Sequence, residues 1–318
     1  MKKILSIFLT ALVVFSSNIV QASKINTDVI DERWGKPTFV YGDNLDKDQV
    51  YETMKLLDIN SPDNVKSIPV THDDLLYYIG GDQSNPGNMV SSVLVKKEAE
   101  GKGIKVEITT PKNITLITDK QYENAALTAG VKDASIMVAA IRPVTGESAL
   151  TGVFKAFDSN GEKLDKERIE IAQDELDLVG EINQENEDKT GFDKEKFNDL
   201  IVIIKDNIAN ITINNNGDSP SLEEIKKVVN DAIAESGLEQ SITQDQVQQL
   251  IDLFEKYTNS NAINPQEIKS QLAEISSKIG GEAKNLYEKA ESSGLIDQII
   301  EFFQSLIESI ARTLKGLN

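Results

Sequence analysis

Apolar and polar positions alternate in short runs over the first half of the chain, and apolar positions recur every three or four residues over the second half. Alternation indicates β-strands, whereas spacings of three and four indicate amphipathic helices. The pattern predicts strands at Phe39–Tyr41, Val65–Val70, Val93–Glu98, Ile104–Thr109, Ile114–Ile117 and Ser135–Ile141. Helical patterns lie between strands and continue alone after about Phe157. We therefore expect an α+β protein, with a mixed α/β domain followed by an all-helical C-terminal region.

The two halves of the predicted α/β domain share an order of patterns. Each half runs strand, helix, strand, Pro-Val-Thr, helix, with Pro69-Val70-Thr71 in the first and Pro143-Val144-Thr145 in the second. This predicts an internal repeat with each threonine as a helix N-cap, the alternative being chance similarity between short α/β segments. The Gly-bearing turn at 100–103 predicts a hairpin between the third and fourth strands.

Beyond the strands, an acidic segment carries a helical pattern. Between Gly161 and Lys189, eleven carboxylates stand against four basic side chains. One apolar stripe at helical spacing consists of Ile169, Ala172, Leu176 and Val179. The pattern predicts a helix with one buried stripe and an acidic solvated face.

More helices are predicted toward the C-terminus. A helix is expected from Lys194 to about Ile211, followed by a turn-rich break at 214–220. Asn264 before Pro265, with Glu267 at the third helical position, is typical of a helix start. Two later apolar stripes at helical spacing are Val247, Leu250, Ile251 and Phe254, and Ile268, Leu272, Ile275 and Ile279.

The first residues have the pattern of an export signal. Lys2 and Lys3 precede an apolar run from Ile4 to Phe15, and small residues end the segment at Ala22. This pattern predicts a cleavable signal peptide and a secreted, extracellular or cell-envelope location. The alternative is a retained membrane anchor, but the run is shorter than the roughly 20 apolar residues that a spanning helix needs. We expect no transmembrane segment after cleavage.

These patterns divide the chain into six predicted segments. They are a signal peptide at 1–22, an N-terminal segment at 23–36, a mixed α/β domain at 37–160, an acidic helical segment at 161–213, a linker at 214–220 and a helical region at 221–318.

Composition narrows the chemistry. The 318 residues carry a net charge of −19, no cysteine and one histidine. Disulfides, thiolate metal sites, thiol nucleophiles, N-terminal lipidation on cysteine and sites with two imidazoles are excluded. The negative charge disfavours nucleic acid and anionic membranes, so we expect no nucleic-acid partner. We expect no cofactor and no metal site.

No catalytic motif for nucleophilic or nucleotide chemistry occurs in the sequence. His72 follows a predicted N-cap, which favours a surface histidine over a general base. Asp158 to Glu162 resembles the start of a calcium loop, but the continuation lacks the loop's length and final glutamate, which favours a plain turn. We assign no catalytic residue and favour a non-enzymatic function. The alternative is a secreted hydrolase that cleaves cell-wall glycans with two carboxylates.

Two segments are candidate interaction sites. The longest turn-forming stretch in the predicted α/β domain is a candidate binding loop, with Gly80, Gly81, Asp82, Asn85 and Gly87. The last apolar helix pattern is a candidate partner or membrane helix, with Ile296, Ile299, Phe303, Leu306, Ile310 and Leu314 on one face. Packing onto the preceding helices is the alternative for this helix. A cell-wall or envelope protein is the expected partner, and peripheral membrane contact is less favoured because basic residues are sparse.

Three stretches resemble a known family. They are Trp34 to Gly42, Asn124 to Ala134 and Pro143 to Gly152. These stretches resemble the YpuA-like family of exported proteins from Gram-positive bacteria, which is classified as a domain of unknown function. The resemblance covers most of the chain after the signal and implies export and residence at the cell envelope. It implies no catalytic residues.

Overall fold

The computed structural model describes residues 25–28, 30, 32–79, 88–260 and 263–272. The strands are β1 (Thr38–Gly42), β2 (Lys66–Val70), β3 (Ser92–Lys97), β4 (Ile104–Ile108) and β5 (Ala134–Ala139). The helices of the α/β part are α1 (Lys47–Leu56), α2 (His72–Tyr78), α3 (Asp119–Thr128) and α4 (Glu147–Ser159). The later helices are α5 (Lys166–Asn186), α6 (Lys194–Asn214), α7 (Leu222–Ser236) and α8 (Gln244–Asn259). A further helix runs from 265 to 272, where the described residues end.

The strands form one mixed sheet in the order β2-β1-β3-β5-β4. β1 and β2 are parallel, as are β4 and β5, and β3 runs antiparallel to both of its neighbours. The α+β class is therefore confirmed. The predicted hairpin between β3 and β4 is wrong, because β5 lies between them and pairs with both. The Gly-bearing turn instead carries the chain across β5 to the edge of the sheet.

The predicted strand at Ile114–Ile117 is also absent from the sheet. Ile114 makes only an isolated parallel bridge with Val144. Both Ile114 and Ile117 are buried in the main core, so their apolar character reflects burial of a loop. The other five predicted strands agree with β1 to β5 to within two residues at each end.

The two halves that were predicted to repeat differ in the structure. The first runs β1, α1, β2 and α2, whereas the second has no strand at its predicted start, Ile114–Ile117, and continues with α3, β5 and α4. Met54 of α1 clusters with Phe39 and Leu94, whereas Tyr122 of α3 clusters with Val93 and Ile136. Because successive side chains of a strand point to opposite faces, α1 and α3 cover opposite faces of the sheet.

The caps of the last helix in each half differ as well. Thr71 accepts a hydrogen bond from the backbone N–H of Asp74 and completes a capping box, as predicted. The N-cap of α4 is Gly146, which follows Thr145 and has a φ of 112°. A side-chain cap is therefore present in the first half and absent in the second.

Both edges of the sheet are protected. Pro69, which has no N–H, lies in the edge strand β2. On the other edge, the N–H of Val106 in β4 donates to the Glu123 carboxylate of α3 at 3.0 Å. Each edge thus offers fewer free donors than an ordinary strand of its length.

α5 separates the core of the α/β part from the core of the helical region. Its Ile169 and Leu176 belong to the cluster under the sheet, while Ile171 and Ile182 belong to the cluster formed with α6, α7 and α8. The sequence predicted one buried stripe, and the structure shows two. The acidic face is confirmed by the exposed side chains at Glu167, Glu170, Asp174, Asp177, Glu181 and Glu185. Glu175 is the exception on this helix, because it is buried.

No helix within the described ranges has the length and apolarity needed to cross a membrane.

Candidate functional site

Both candidate interaction segments fall outside the described residues. The loop residues Gly80 to Gly87 and the helix face from Ile296 to Leu314 therefore stay predictions, as does the signal at 1–22. The C-terminal flank of the loop is fixed at the end of β1. The N–H of Met89 donates to Asn44 Oδ1 at 2.7 Å, and a Cβ on Gly42 would lie 2.0 Å from the Met89 carbonyl oxygen.

His72 is the first residue of α2 and is half-buried. Neither ring nitrogen has a hydrogen-bond partner among the described residues. General-base catalysis needs the imidazole to contact a nucleophile and an orienting carboxylate. Within the part of the chain that is described, the hydrogen bonds bring neither group to this ring, and both ring nitrogens are buried.

A cavity of about 140 Å³ lies where α6, α8 and the 265–272 helix meet. The turn after α6 contributes Gly217 and Ser219 to its wall, and in this turn Asn216 and Gly217 have positive φ values of 59° and 103° and Ser219 is exposed. These conformations bring the chain back along α6, and the Gly217 N–H donates to the Thr212 carbonyl at 2.8 Å. The wall residues are Ile208, Ala209, Thr212, Gly217, Ser219, Tyr257, Thr258, Ser260, Ile263, Pro265 and Ile268.

The described part of the cavity wall combines apolar groups with hydroxyl groups, and Tyr257 is the ionisable side chain among these residues. Three of its hydroxyls donate to backbone carbonyls. Thr212 donates to Ile208 at 3.0 Å, Ser219 to Thr258 at 2.9 Å, and Thr258 to Glu255 at 3.0 Å. Each hydroxyl has used its proton and retains oxygen lone pairs that can accept a hydrogen bond.

Tyr257 is the polar group of the cavity wall that stands out. The residue is 3% exposed, and its hydroxyl has no hydrogen-bond partner among the described residues. Burial raises the pKa of this hydroxyl, and the negative charges of Glu175 and Glu267 raise it further against the opposing effect of Arg168. Tyr257 is therefore a neutral hydrogen-bond donor, and leaving such a group unpaired costs about 1–3 kcal/mol.

A buried ion pair lies near Tyr257. Lys205 Nζ of α6 donates to Glu175 Oε1 of α5 at 2.7 Å and to the Asn124 carbonyl of α3 at 2.9 Å. The Thr128 hydroxyl donates to the second oxygen of Glu175 at 2.7 Å. Burial lowers the pKa of Lys205, and the Glu175 charge opposes that change. These hydrogen bonds join α3 to α5 and α6.

Arg168 extends this network to the 265–272 helix. Its guanidinium donates to the Leu127 and Thr128 carbonyls at the C-terminus of α3, at 2.9 and 2.8 Å. It also donates to Glu267 Oε1 at 2.8 Å, and Glu267 pairs with Lys132. A cation is favourable at a helix C-terminus. The helix that borders the cavity is thus held to the α/β part by charged groups.

Among the described residues, burial raises the pKa of three partly buried carboxylates, Asp177, Glu235 and Glu239. Partial burial raises the pKa of Asp177 on α5, a hydrogen bond from Gln173 opposes this, and the nearby charges of Glu147 and Asp174 raise it again. Gln173 Nε2 donates to Asp177 Oδ1 at 2.6 Å. No group of three or more acidic or imidazole side chains is placed to hold a metal ion among the residues described.

Sequence reasoning missed the cavity and the ion pair. A signal exists for the ion pair, because Lys205 interrupts an apolar stripe formed by Ile201, Ile204 and Ile208. The pattern does not show which acid meets that lysine. Tyr257 follows Phe254 at helical spacing and has the pattern of a core aromatic. Its unpaired hydroxyl becomes evident only when its neighbours are known.

The fold and site define an α+β protein with a mixed five-stranded sheet, followed by helices that form a small hydroxyl-lined cavity. The chain belongs to the family described as "Protein of unknown function (DUF1002)", whose sequence profile matches residues 41–275. This region contains every residue of the cavity wall.

The chain is similar to a bacterial relative over most of its length. It is 34% identical over 269 residues to "Uncharacterized protein YpuA" of Bacillus subtilis (strain 168), which covers 83% of this chain and 86% of that protein. The resemblance to the YpuA-like family is thereby confirmed. No solved structure matches the chain.

Proposed function

We propose that the protein is exported and acts outside the cytoplasm as a non-enzymatic binding protein of the cell envelope. The basic head, apolar run and small residues of 1–22 support export. The family has no described function, so the binding role rests on the geometry of this chain.

The cavity carries the binding role. The described part of its wall offers acceptor lone pairs on three hydroxyls that donate their own protons to backbone carbonyls. Among the described residues, the wall includes no carboxylate, imidazole or amine. Such a wall can hold a molecule by shape and hydrogen bonds, but it offers no group with an ordinary pKa near neutrality for proton transfer.

Export and envelope binding can be tested together. Cells that express the full chain are fractionated into medium, wall, membrane and cytoplasm, beside cells that express a variant lacking residues 2–22. We expect the full chain in the medium or wall, shortened at its N-terminus, and the variant in the cytoplasm. The purified chain from residue 23 should then be retained on isolated wall material without releasing sugars. Cytoplasmic full chain, or no retention, would refute the proposal.

The alternative is hydrolysis of wall glycans by Asp177 and a nearby carboxylate. Glycoside hydrolysis requires two acidic side chains a few ångströms apart, and the charges of Glu147 and Asp174 lie near enough to Asp177 to raise its pKa. If the chain releases sugars, Asp177→Asn should abolish the release. Glu181→Gln is the matched control, because Glu181 is exposed on the same helix and is not among the charges that shift the pKa of Asp177. Release that Asp177→Asn removes and Glu181→Gln preserves would establish the enzyme and overturn the binding role.

A further inference from the structure

A short strap at residues 25–28 anchors the N-terminal end of the described chain. Ile25 is 5% exposed and belongs to the apolar cluster on the face of the sheet that α1 covers. Asn64 Nδ2 donates to Asp28 Oδ1 at 2.6 Å, which fixes the other end of the strap. The strap therefore holds the residue that precedes Ile25 in the chain close to this face of the sheet.

Glu107 of β4 lies beside the strap. Ile25 and Glu107 line one groove together with Met137 of β5. Because side chains alternate along a strand and Val106 belongs to the core under the opposite face, Glu107 points to the face on which Ile25 packs. The Glu107 side chain is partly buried, and its Oε2 has no hydrogen-bond partner among the described residues. A carboxylate that has lost part of its hydration is stabilised by a cation and is destabilising without one.

We propose that the ammonium group created by signal cleavage is the cation that pairs with Glu107. Hydrolysis adds water across the Ala22–Ser23 peptide bond, which leaves a carboxylate on Ala22 and an α-ammonium on Ser23. Ser23 lies two residues before Ile25, and two residues span up to about 7 Å. The ammonium can therefore reach the groove while Ile25 stays docked. The inference rests on the proposed export and adds to it, because cleavage then completes the contacts of the strap.

The charge that faces Glu107 differs between the two forms of the chain. Before cleavage, the nitrogen of Ser23 belongs to a peptide bond and is uncharged. Lys105 lies in the same groove, but its side chain is exposed and carries the same charge before and after cleavage. The uncleaved chain can dock Ile25 but lacks the ion pair. The strap is thus held more firmly once the signal has been removed.

The experiment removes the ammonium and leaves the rest of the chain in place. The chain is expressed from residue 23, and periodate converts its N-terminal serine to an uncharged glyoxylyl group. The sequence has no cysteine that periodate could oxidise. Stability is measured by urea titration at about pH 6, where an α-amine is protonated and a carboxyl group is ionised. We expect the treatment to raise the unfolding equilibrium constant about fivefold or more.

Ser23→Ala is the matched control for the treatment. An N-terminal alanine keeps its ammonium in periodate, so the stability of this variant should not change. The control also reports any effect of methionine oxidation. Equal stability of Ser23→Ala and the untreated parent would show that the lost serine hydroxyl does not account for the effect.

Glu107→Gln tests the partner of the ammonium. The substitution keeps the shape of the side chain and removes its charge, so periodate should change the unfolding equilibrium constant of this variant less than about twofold. Glu100→Gln is the matched control, because Glu100 is exposed in the turn before β4. The full effect of periodate should persist in Glu100→Gln.

Ile25→Ala tests the strap. Loss of the buried side chain should raise the unfolding equilibrium constant about tenfold or more. Because the ammonium is then no longer held near Glu107, the effect of periodate should fall below about twofold. Ile30→Ala is the matched control, since Ile30 is 71% exposed in the same N-terminal segment, and it should change neither quantity.

Two results would overturn the ion pair: no effect of periodate on the parent, or an equal effect on Glu107→Gln. Mass spectrometry of the exported protein identifies its first residue, and a first residue other than Ser23 would overturn the role of cleavage. Full chain that stays in the cytoplasm, together with a periodate effect that depends on Glu107, would refute the proposed export alone.

Discussion

Helix α4 meets the sheet through small and apolar side chains, whereas helix α3 meets α5 and α6 through polar ones. The buried face of α4 consists largely of Ala149, Leu150, Val153, Phe154, Ala156 and Phe157. The contacts of α3 with α5 and α6 include buried Asn124, Thr128, Glu175, Asn198 and Lys205. Apolar burial stabilises roughly in proportion to area, but polar burial stabilises only when each group has a partner.

Substitutions therefore destabilise the two interfaces in different ways. A change of shape at α4 disturbs packing over a continuous core, since interiors are close-packed. A change at α3 leaves a partner charge or amide unpaired in a place where water is excluded. Several buried amides between α3, α5 and α6 already have an unpartnered atom among the described residues, including Gln121 Nε2 and Asn183 Oδ1. The polar interface between α3, α5 and α6 therefore tolerates the loss of a further hydrogen bond less well.

The largest expected effect is at the buried ion pair. Lys205→Met keeps the volume of the side chain and leaves the Glu175 carboxylate buried without its cation. We expect a loss of about 3–5 kcal/mol in the free energy of unfolding by urea titration. Lys227→Met is the matched control, since the exposed Lys227 pairs with an exposed Asp231 and should cost under about 0.5 kcal/mol.

The double variant Lys205→Met with Glu175→Leu keeps this prediction testable if the single variant does not fold. Removing both charges should recover most of the loss. A single variant that loses less than about 1 kcal/mol would show that the pair contributes little to the polar interface.

A smaller effect on stability is expected when a methyl group is added at a glycine of α4 or of α5, and it should differ between the two helices because their packing differs. Gly152→Ala in α4 places a Cβ 3.0 Å from Val93 Cγ2, and we expect a loss of about 1–2 kcal/mol after the gain in helix propensity. Gly180→Ala in α5 meets only Gln121 Nε2 at 3.9 Å, so it should stabilise by about 0.5–1 kcal/mol. The free energy of unfolding of both variants is measured by urea titration. A change of the same sign in both variants would contradict the difference in packing.

The smallest effect concerns the cap that joins α2 to α4. Burial raises the pKa of Asp74, but hydrogen bonds from Lys155 and Thr71 outweigh it and leave the pKa below its usual value. Because the folded-state pKa is depressed, this stabilisation is present above the unfolded pKa of about 4 and is lost as pH falls through the folded value.

The measurement is the stability difference between the parent and Asp74→Asn as a function of pH. We expect Asp74→Asn to cost about 0.5–1 kcal/mol at pH 7 and the difference to shrink below about pH 4. Asp73→Asn, at the exposed neighbouring position, is the control and should show no such trend. A difference that is constant from pH 7 to pH 2 would contradict the role of the Asp74 charge.

Local sequence patterns predicted the helices and strands better than they predicted which strands pair with each other. Five strands and the long helices follow from periodicity, because each element buries a face that its own sequence marks. The position of β5 between β3 and β4 depends on pairing between distant segments, which periodicity does not encode. Ile114 shows the same limit, because an apolar run in a buried loop has the same sequence pattern as an apolar run in a strand.

The site was less predictable for the same reason. Glu175 is one of many carboxylates on an acidic helix, and its neighbours in sequence, including the exposed Asp174, give no sign of its burial. Its partner Lys205 is 30 residues away. The need of Tyr257 for a partner arises from the meeting of three helices. Such features appear only when the backbone brings separate segments together.

The blocked edges of the sheet restrict how this protein can meet another. Strand addition needs a row of free N–H and C=O groups, and Pro69 and the Val106–Glu123 hydrogen bond interrupt the donors at the two edges. A second chain thus gains little by extending this sheet. Contacts through the two sheet edges are thereby disfavoured relative to contacts through side chains and helix faces, and so is edge-to-edge pairing of two copies of the chain.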